Sequence, residues 1–254
     1  MSPSTLPRLA WIEQRFDPAC ITDIDSEVSR HIQALDLRAK VRPGQSVAIT
    51  AGSRGIACID RILAAVVRNL KARGLKPFIV PAMGSHGGAT AQGQVQVLAS
   101  YGITEQAMGA PIQACMDTVC WGQTELGTPV YLDQLASEAD HIVPVNRIKA
   151  HTKFKAEIES GLMKMLAVGL GKHTGASLLH ALAPTHGLGR LIAHTARYLL
   201  DRSSVLMGLG IVENAFGQCA EIQAMLPEHL EKEEKKLLLR AKTRSAKIPF
   251  SDLD

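Results

Sequence analysis

The stretch from residue 45 to 81 limits the fold more than any other part of the chain. Gln45-Ser46-Val47-Ala48-Ile49-Thr50 reads as a short buried strand, followed by the turn Ala51-Gly52-Ser53-Arg54-Gly55 and an amphipathic helix from about Ile56 to Arg73. Gly74 stops that helix, and Lys76-Pro77-Phe78-Ile79-Val80-Pro81 reads as a second strand. Two strands joined by a crossover helix pair in parallel, with a right-handed connection. The fold class is therefore α/β, a Rossmann-like and mostly parallel sheet flanked by helices.

The second strand runs into Met83-Gly84-Ser85-His86-Gly87-Gly88, after which Thr90 is placed to cap a helix reaching about Tyr101, with Gly102 as its stop. Between Pro111 and Asp133, β-prone pieces separated by turns at Gly122, Gly127 and Pro129 predict a small antiparallel portion. His141-Ile142-Val143-Pro144-Val145 reads as a further core strand, leading into the polar loop Asn146-Arg147-Ile148-Lys149-Ala150-His151-Thr152-Lys153. Helices are expected at about Ser160 to Ala167, Gly175 to Ala181 and Leu188 to Leu200. A strand from about Val205 to Val212, a β-prone partner from Cys219 to Met225 and a charged helix from Pro227 to about Arg244 complete the pattern.

A length of 254 residues with 46% hydrophobic and 20% charged residues suits one sizeable core or two small ones, and no apolar run approaches the ~18 residues of a membrane span. Met1 to Pro7 lacks the basic start and apolar stretch of a secretion signal, so the expected compartment is the cytoplasm. Five cysteines, Cys20, Cys58, Cys115, Cys120 and Cys219, include no Cys-x-x-Cys pair; neither a disulfide framework nor a zinc ribbon is indicated, and the thiols are expected to be reduced and mostly buried. With 28 basic against 24 acidic residues and 4% aromatics, the chain lacks a nucleic-acid footprint, and a small anionic ligand fits better.

In open α/β sheets, ligands bind beyond the carboxyl ends of the strands, where loops and helix N-termini offer free N–H groups. Arg54, His86 and His151 lie in three such loops. Together they supply a fixed cation and two groups able to carry a proton near neutrality, which suits a small carboxylate undergoing proton transfer. Each has a plainer reading: Arg54 as a helix cap or partner of Asp60, the histidines as surface or hydrogen-bonded residues. The glycines at 84, 87, 88 and 93 suggest close backbone approach to a ligand at His86. Lys164, among Leu162, Met163, Met165 and Leu166, is either a depressed-pKa nucleophile or a snorkelling lysine. His173 and His180, seven residues apart, are metal ligands or polar-face residues. Gly169-Leu170-Gly171-Lys172 satisfies neither the dinucleotide nor the phosphate-loop pattern.

Taken in order, these residues resemble the nickel-pincer lactate racemase family. The likeness is carried by the arginine turn after the first strand, Gly84-Ser85-His86 after the second, His151 after Val145-Asn146, and Ser160-Gly161-Leu162-Met163-Lys164 running to Gly169 and His180, over about residues 45–215. The resemblance implies a nickel-pincer nucleotide, a Ni(II) pyridinium-3,5-bisthiocarboxylic acid mononucleotide. Lys164 matches the lysine joined to it by a thioamide, and His180, sixteen residues on, the histidine ligand to nickel; His173 stays open as the alternative. Arg54 matches an arginine that helps bind anionic groups, and Ser53, Gly84 and Ser85 are assigned with it to cofactor binding. His86 and His151 match two histidines exchanging the substrate hydroxyl proton on opposite faces while the α-hydrogen leaves as hydride to the cofactor. Sulfur and carbon donors with one imidazole favour nickel over zinc.

The expected function is thus racemisation or epimerisation of a 2-hydroxy acid. The turn Ala51-Gly52-Ser53-Arg54-Gly55 lacks the acidic residue and proline usual in the family's first motif, which leaves the substrate open beyond lactate. Family members continue into a second domain. Residues 1–247 are therefore expected to form the N-terminal α/β domain, and residues 248–254 the start of a link to a C-terminal domain absent from this chain, or supplied by a partner chain. A homodimer is compatible with this. Two other classes remain: a non-catalytic nucleotide- or anion-binding domain or inactive truncated fragment, and a metal-free hydrolase or lyase using His86 and His151.

Overall fold

Val47, Ala48, Ile49, Thr50 and Ala51 are all buried, as a strand covered on both faces requires. They form β1 (Ser46–Ala51) in a computed structural model that describes residues 11–250. The Met1 to Pro7 reading and residues 251–254 of the expected link lie outside these described residues. A short amphipathic helix, α1 (Ile24–Gln33), precedes β1. After β1 come α2 (Ile59–Lys71), β2 (Lys76–Pro81), the single turn Gly87–Ala89, α3 (Ala91–Ser100) and α4 (Glu105–Met108). The antiparallel pair β3 (Thr118–Gln123) and β4 (Pro129–Asp133) follows, then α5 (Gln134–Glu138), β5 (His141–Val143) and β6 (Val145–Arg147). The remainder is α6 (Leu162–Lys164), a π-turn (Met165–Gly169), α7 (Lys172–His186), α8 (Leu188–Arg202), β7 (Gly208–Glu213), β8 (Cys219–Met225) and α9 (Pro227–Arg244).

The central sheet has the order β2-β1-β5 and is wholly parallel. Its residues alternate between two cores. Val47, Ile49, Ile79 and Val143 face the layer of α1 and α2, while Ala48, Phe78, Val80 and Ile142 face the layer of α6 to α9. That double burial explains the unbroken apolar runs in β1 and β2. On α2, Ile59, Ile62, Leu63, Val66, Val67 and Leu70 supply the buried stripe, and Gly74, at φ +77°, accommodates the left-handed turn that ends it.

Several expectations are corrected here. The strand anticipated over 141–145 is divided at Pro144: β5 stays in the parallel sheet, and β6 joins a second sheet, β6-β7-β8, of mixed sense. Proline has no N–H for a ladder, and the break lets the Val145 N–H donate to the Thr50 hydroxyl instead, at 3.0 Å. The helix expected from Ser160 starts at Leu162 and widens into the π-turn, and α7 begins at Lys172, three residues before Gly175. The thiols are free but not mostly buried: Cys20, Cys58 and Cys120 are exposed and only Cys219 is buried. Residues 248–250, the start of the expected link, have no regular structure, and Ile248 and Phe250 are exposed.

On α9, Glu234 is turned into the core, where its Oε2 accepts the Met163 N–H at 2.9 Å while Oε1 has no partner among the described residues. A Cβ at residue 161 would stand 2.3 Å from that oxygen, so Gly161 is the residue that lets the carboxyl reach the start of α6. Burial pushes the Glu234 pKa from 4.5 up to about 7, against the opposing pull of the Met163 and Leu162 N–H groups. Between those values the folded chain holds more protons than the unfolded one, so this group makes stability fall as pH rises through the window. Glu234→Gln keeps an acceptor for Met163 and removes the titration. Its urea midpoint should decline less than the wild type's between about pH 5 and pH 7.5; parallel declines would contradict the assignment.

Candidate active site

The carboxyl ends of β1, β2 and β6 open into one cleft of about 450 Å³, closed on its far side by α6, the π-turn and α7. Ser53, Arg54, Gly84, Ser85, His86, His151, Lys164 and His180 all line it. His173 does not. It sits two turns nearer the start of α7, roughly 10 Å along the axis.

His86 follows β2 and precedes the turn at Gly87–Ala89. Its Nδ1 contacts the Ser53 hydroxyl, and the Ser53 carbonyl accepts the Tyr101 phenol at 3.1 Å, so the two loops brace one another. Burial, then the charges of Arg54 and Lys164, hold its pKa below the usual imidazole value. Packing by itself already requires two of the surrounding glycines: a Cβ on Gly93 would lie 2.0 Å from the Gly87 carbonyl, and one on Gly87 would lie 2.7 Å from the Gln94 nitrogen. Gly84, at φ +59°, packs against Ala176 and Val168 at the cleft wall.

His151 is fixed from its backbone and its ring. Its N–H donates to Glu159 Oε2 at 2.6 Å, its Nδ1 accepts the Lys153 N–H at 3.1 Å, and its ring stacks on Phe154 at 4.2 Å. With Nδ1 occupied as an acceptor, the neutral ring carries its proton on Nε2. Glu159 is buried and held by Lys242 of α9 at 2.6 Å. Burial and Lys164 lower the His151 pKa, with Glu159 opposing.

Lys164 ends α6 where the backbone widens into the π-turn, a departure from α geometry common at functional sites. Half-buried, it has a pKa lowered by burial and then by Arg54 and Lys149. Arg147 and Lys149 are the lining cations that sequence reasoning passed over. Their alternate positions along β6 and its extension were the available signal. Arg147 is paired with Glu213, whose Oε1 accepts the Ala57 N–H at 2.8 Å. The Asp60 pairing considered for Arg54 does not form, and among the described residues Arg54, Lys149 and Lys164 make no ion pair. Among the described residues no Asp or Glu lines the cleft.

The arrangement suits an anionic ligand with two proton carriers. Among the described residues no group of three or more His, Cys, Asp or Glu could hold a metal. His180 lines the same cleft as Lys164, an amine biased toward its neutral, nucleophilic form, and these residues fit an organic group attached at the lysine that brings a metal's remaining donors with it. That bias is open to chemistry: a small acyl anhydride near neutral pH should modify Lys164 ahead of exposed lysines, as peptide mass mapping reads. Arg54→Gln, which withdraws a neighbouring charge and raises the lysine's pKa, should slow the reaction; an unchanged order of labelling would contradict the electrostatics.

A family profile described as the lactate racemase N-terminal domain matches residues 14–180. The apoprotein structure of lactate racemase from Thermoanaerobacterium thermosaccharolyticum is similar in fold, with a TM-score of 0.63 and 16% identity, over 86% of this chain and 55% of that one. The chain thus spans about half the length of that protein. No curated protein matches its sequence. With the profile covering well over half of the residues and the parallel sheet in agreement, the chain belongs to the lactate racemase N-terminal domain family.

Proposed function

We propose that the chain racemises or epimerises a 2-hydroxy acid with a nickel-pincer nucleotide, as the cofactor-holding domain of a lactate-racemase-like isomerase. The observation that supports this most is the convergence of Lys164, His180, His86, His151 and Arg54 on one cleft lined by no carboxylate. Lys164 would hold the nucleotide covalently and His180 would ligate its metal, while Ser53, Arg54, Gly84 and Ser85 would contact its polar parts. When bound, the group supplies reversible hydride transfer at the α-carbon.

The chain's own residues perform the remaining work. Arg54, with Lys149 beside it, attracts and orients the substrate carboxylate. His86 and His151, whose surroundings lower both pKa values and so favour the neutral ring, can each accept the hydroxyl proton and return it, a step that contributes ~10²–10⁴-fold in comparable reactions. Two such groups permit proton exchange on either face of the planar keto acid, which inversion of the centre demands. In this reading residues 1–247 are the N-terminal domain, residues 248–254 lead toward a second domain or a partner chain that completes the cleft, and the substrate is any small 2-hydroxy acid that fits.

A second reading, an anion- or nucleotide-binding domain without turnover, draws on the same unpaired cations. One experiment separates the two: the chain is purified from cells that make the pincer nucleotide, and its peptide masses, nickel content and racemisation of 2-hydroxy acids are read by chiral chromatography. The isomerase reading expects a nucleotide adduct on the Lys164 peptide with near-stoichiometric nickel, no adduct in Lys164→Ala, and an adduct without nickel in His180→Ala. His86→Gln and His151→Gln should keep the adduct and slow racemisation about 100-fold or more. An unmodified, nickel-free chain that still binds nucleotide would leave the second reading.

A further inference from the structure

We propose that Gln94 is the positioning residue of His86, and that the buried Lys172–Asp133 pair holds its amide in one orientation. Gln94 lies on α3, outside the cleft lining, and is fully buried. Its Nε2 donates to the carbonyls of Gly84 at 2.9 Å and of His86 at 3.2 Å, fastening the loop on both sides of Ser85. Its Oε1 accepts from Lys172 Nζ at 3.1 Å. The reverse orientation would set the amide oxygen against two carbonyls and its NH₂ against an ammonium, so Lys172 decides which way the amide points.

Lys172 is itself fully determined. Its three N–H donors meet Gln94, the Pro81 carbonyl at 2.6 Å and Asp133 Oδ2 at 3.0 Å, and neither Lys172 nor Asp133 is exposed. Asp133 Oδ1 in turn accepts the Ala136 N–H at 2.8 Å at the start of α5. The ends of β2 and β4 and the starts of α5 and α7 thus meet, with α3, at one point beneath His86. Lys172 also keeps a left-handed backbone, φ +52°, a conformation that non-glycine residues retain only where their surroundings over-determine it. With its carbonyl tied to Gln94 and its Nδ1 against Ser53, His86 is held at both ends, facing Arg54 from the first loop and Lys164 from α6.

The functional side of this inference rests on His86 being a proton carrier, but its test does not need turnover. In the chain without cofactor, the imidazole titrations of His86 and His141 are followed by NMR in wild type, Gln94→Met and Gln94→Glu. His141 lies at the opposite end of the sheet, also lowered by burial, and serves as the internal control. Gln94→Met removes both donated bonds and leaves the ion pair; Gln94→Glu keeps an acceptor for Lys172 but presents no donor to the loop, and serves should the first variant fold poorly. In each, His86 should titrate upward toward the ordinary imidazole value while His141 stays put. In the cofactor-loaded chain, kcat should fall roughly tenfold to a hundredfold with KM little changed. A His86 titration equal to wild type, or a common shift of both histidines, would overturn the positioning role. A loaded wild type that racemises nothing would sink the proposed reaction and leave the His86 titration to decide this inference alone.

Discussion

An ammonium placed in a protein interior is costly unless every N–H finds an acceptor and a counter-charge stands beside it. Lys172 meets both conditions with Asp133, Gln94 and the Pro81 carbonyl, and each partner comes from a different element. Removing any one would strand a charge or a donor. The cost of that outcome, about 3–5 kcal/mol for a broken buried pair, far exceeds what a surface contact contributes. The end of β2, the antiparallel pair and α3 therefore share one arrangement, and the loop carrying His86 inherits it.

The segment bearing Lys164 is held by comparable means at both ends. Upstream, the Glu234 carboxyl accepts the Met163 N–H and occupies the space that a side chain at Gly161 would need. Downstream, the chain passes through the π-turn to Gly169, where a Cβ would come within 2.6 Å of the Ala82 carbonyl, and reaches Lys172 soon after. Between these anchors the side chain of Lys164 lines the cleft. The long helix α9 lies outside the parallel sheet yet supports this site twice, through Glu234 beneath Lys164 and through Lys242 on the Glu159 that orients His151.

How far the sequence disclosed this depended on the range of each interaction. Local signals were readable: Thr90 accepts the Gly93 N–H as the N-cap of α3, and β2 keeps its predicted limits. The Ile24, Val28 and Ile32 stripe of α1, with Asp23 capping it, was equally local and was passed over. The positions of His86, His151, Lys164 and His180 followed from strand ends and from the family resemblance. Lys172 stood in a glycine-rich stretch that matches no phosphate-binding pattern, and its partner Gln94 lies 78 residues away, beyond any periodicity that could announce it. The glycines near His86 showed the converse error. Their small size was legible, but at Gly87 and Gly93 the neighbour that required it was backbone.

The charge pattern of the cleft follows from the same construction. Arg54, Lys149 and Lys164 are brought together by strand ends whose positions the two cores determine, and the pKa of both lysines is lowered first by burial and then by repulsion from neighbouring cations, Arg147 and Arg54 at Lys149, Arg54 and Lys149 at Lys164. Of these cleft cations, Arg147 alone is paired with a carboxylate among the described residues, and that carboxylate also receives a backbone N–H at the start of the loop leading to α2. Repulsion of this kind opposes folding slightly. An anionic ligand relieves it, and acylation of Lys164 would remove one of the charges outright. Filling the cleft and stabilising the chain are in this sense one electrostatic event, and the lowered Lys164 pKa that favours such an attachment comes first from burial and then from the cations whose repulsion the ligand relieves.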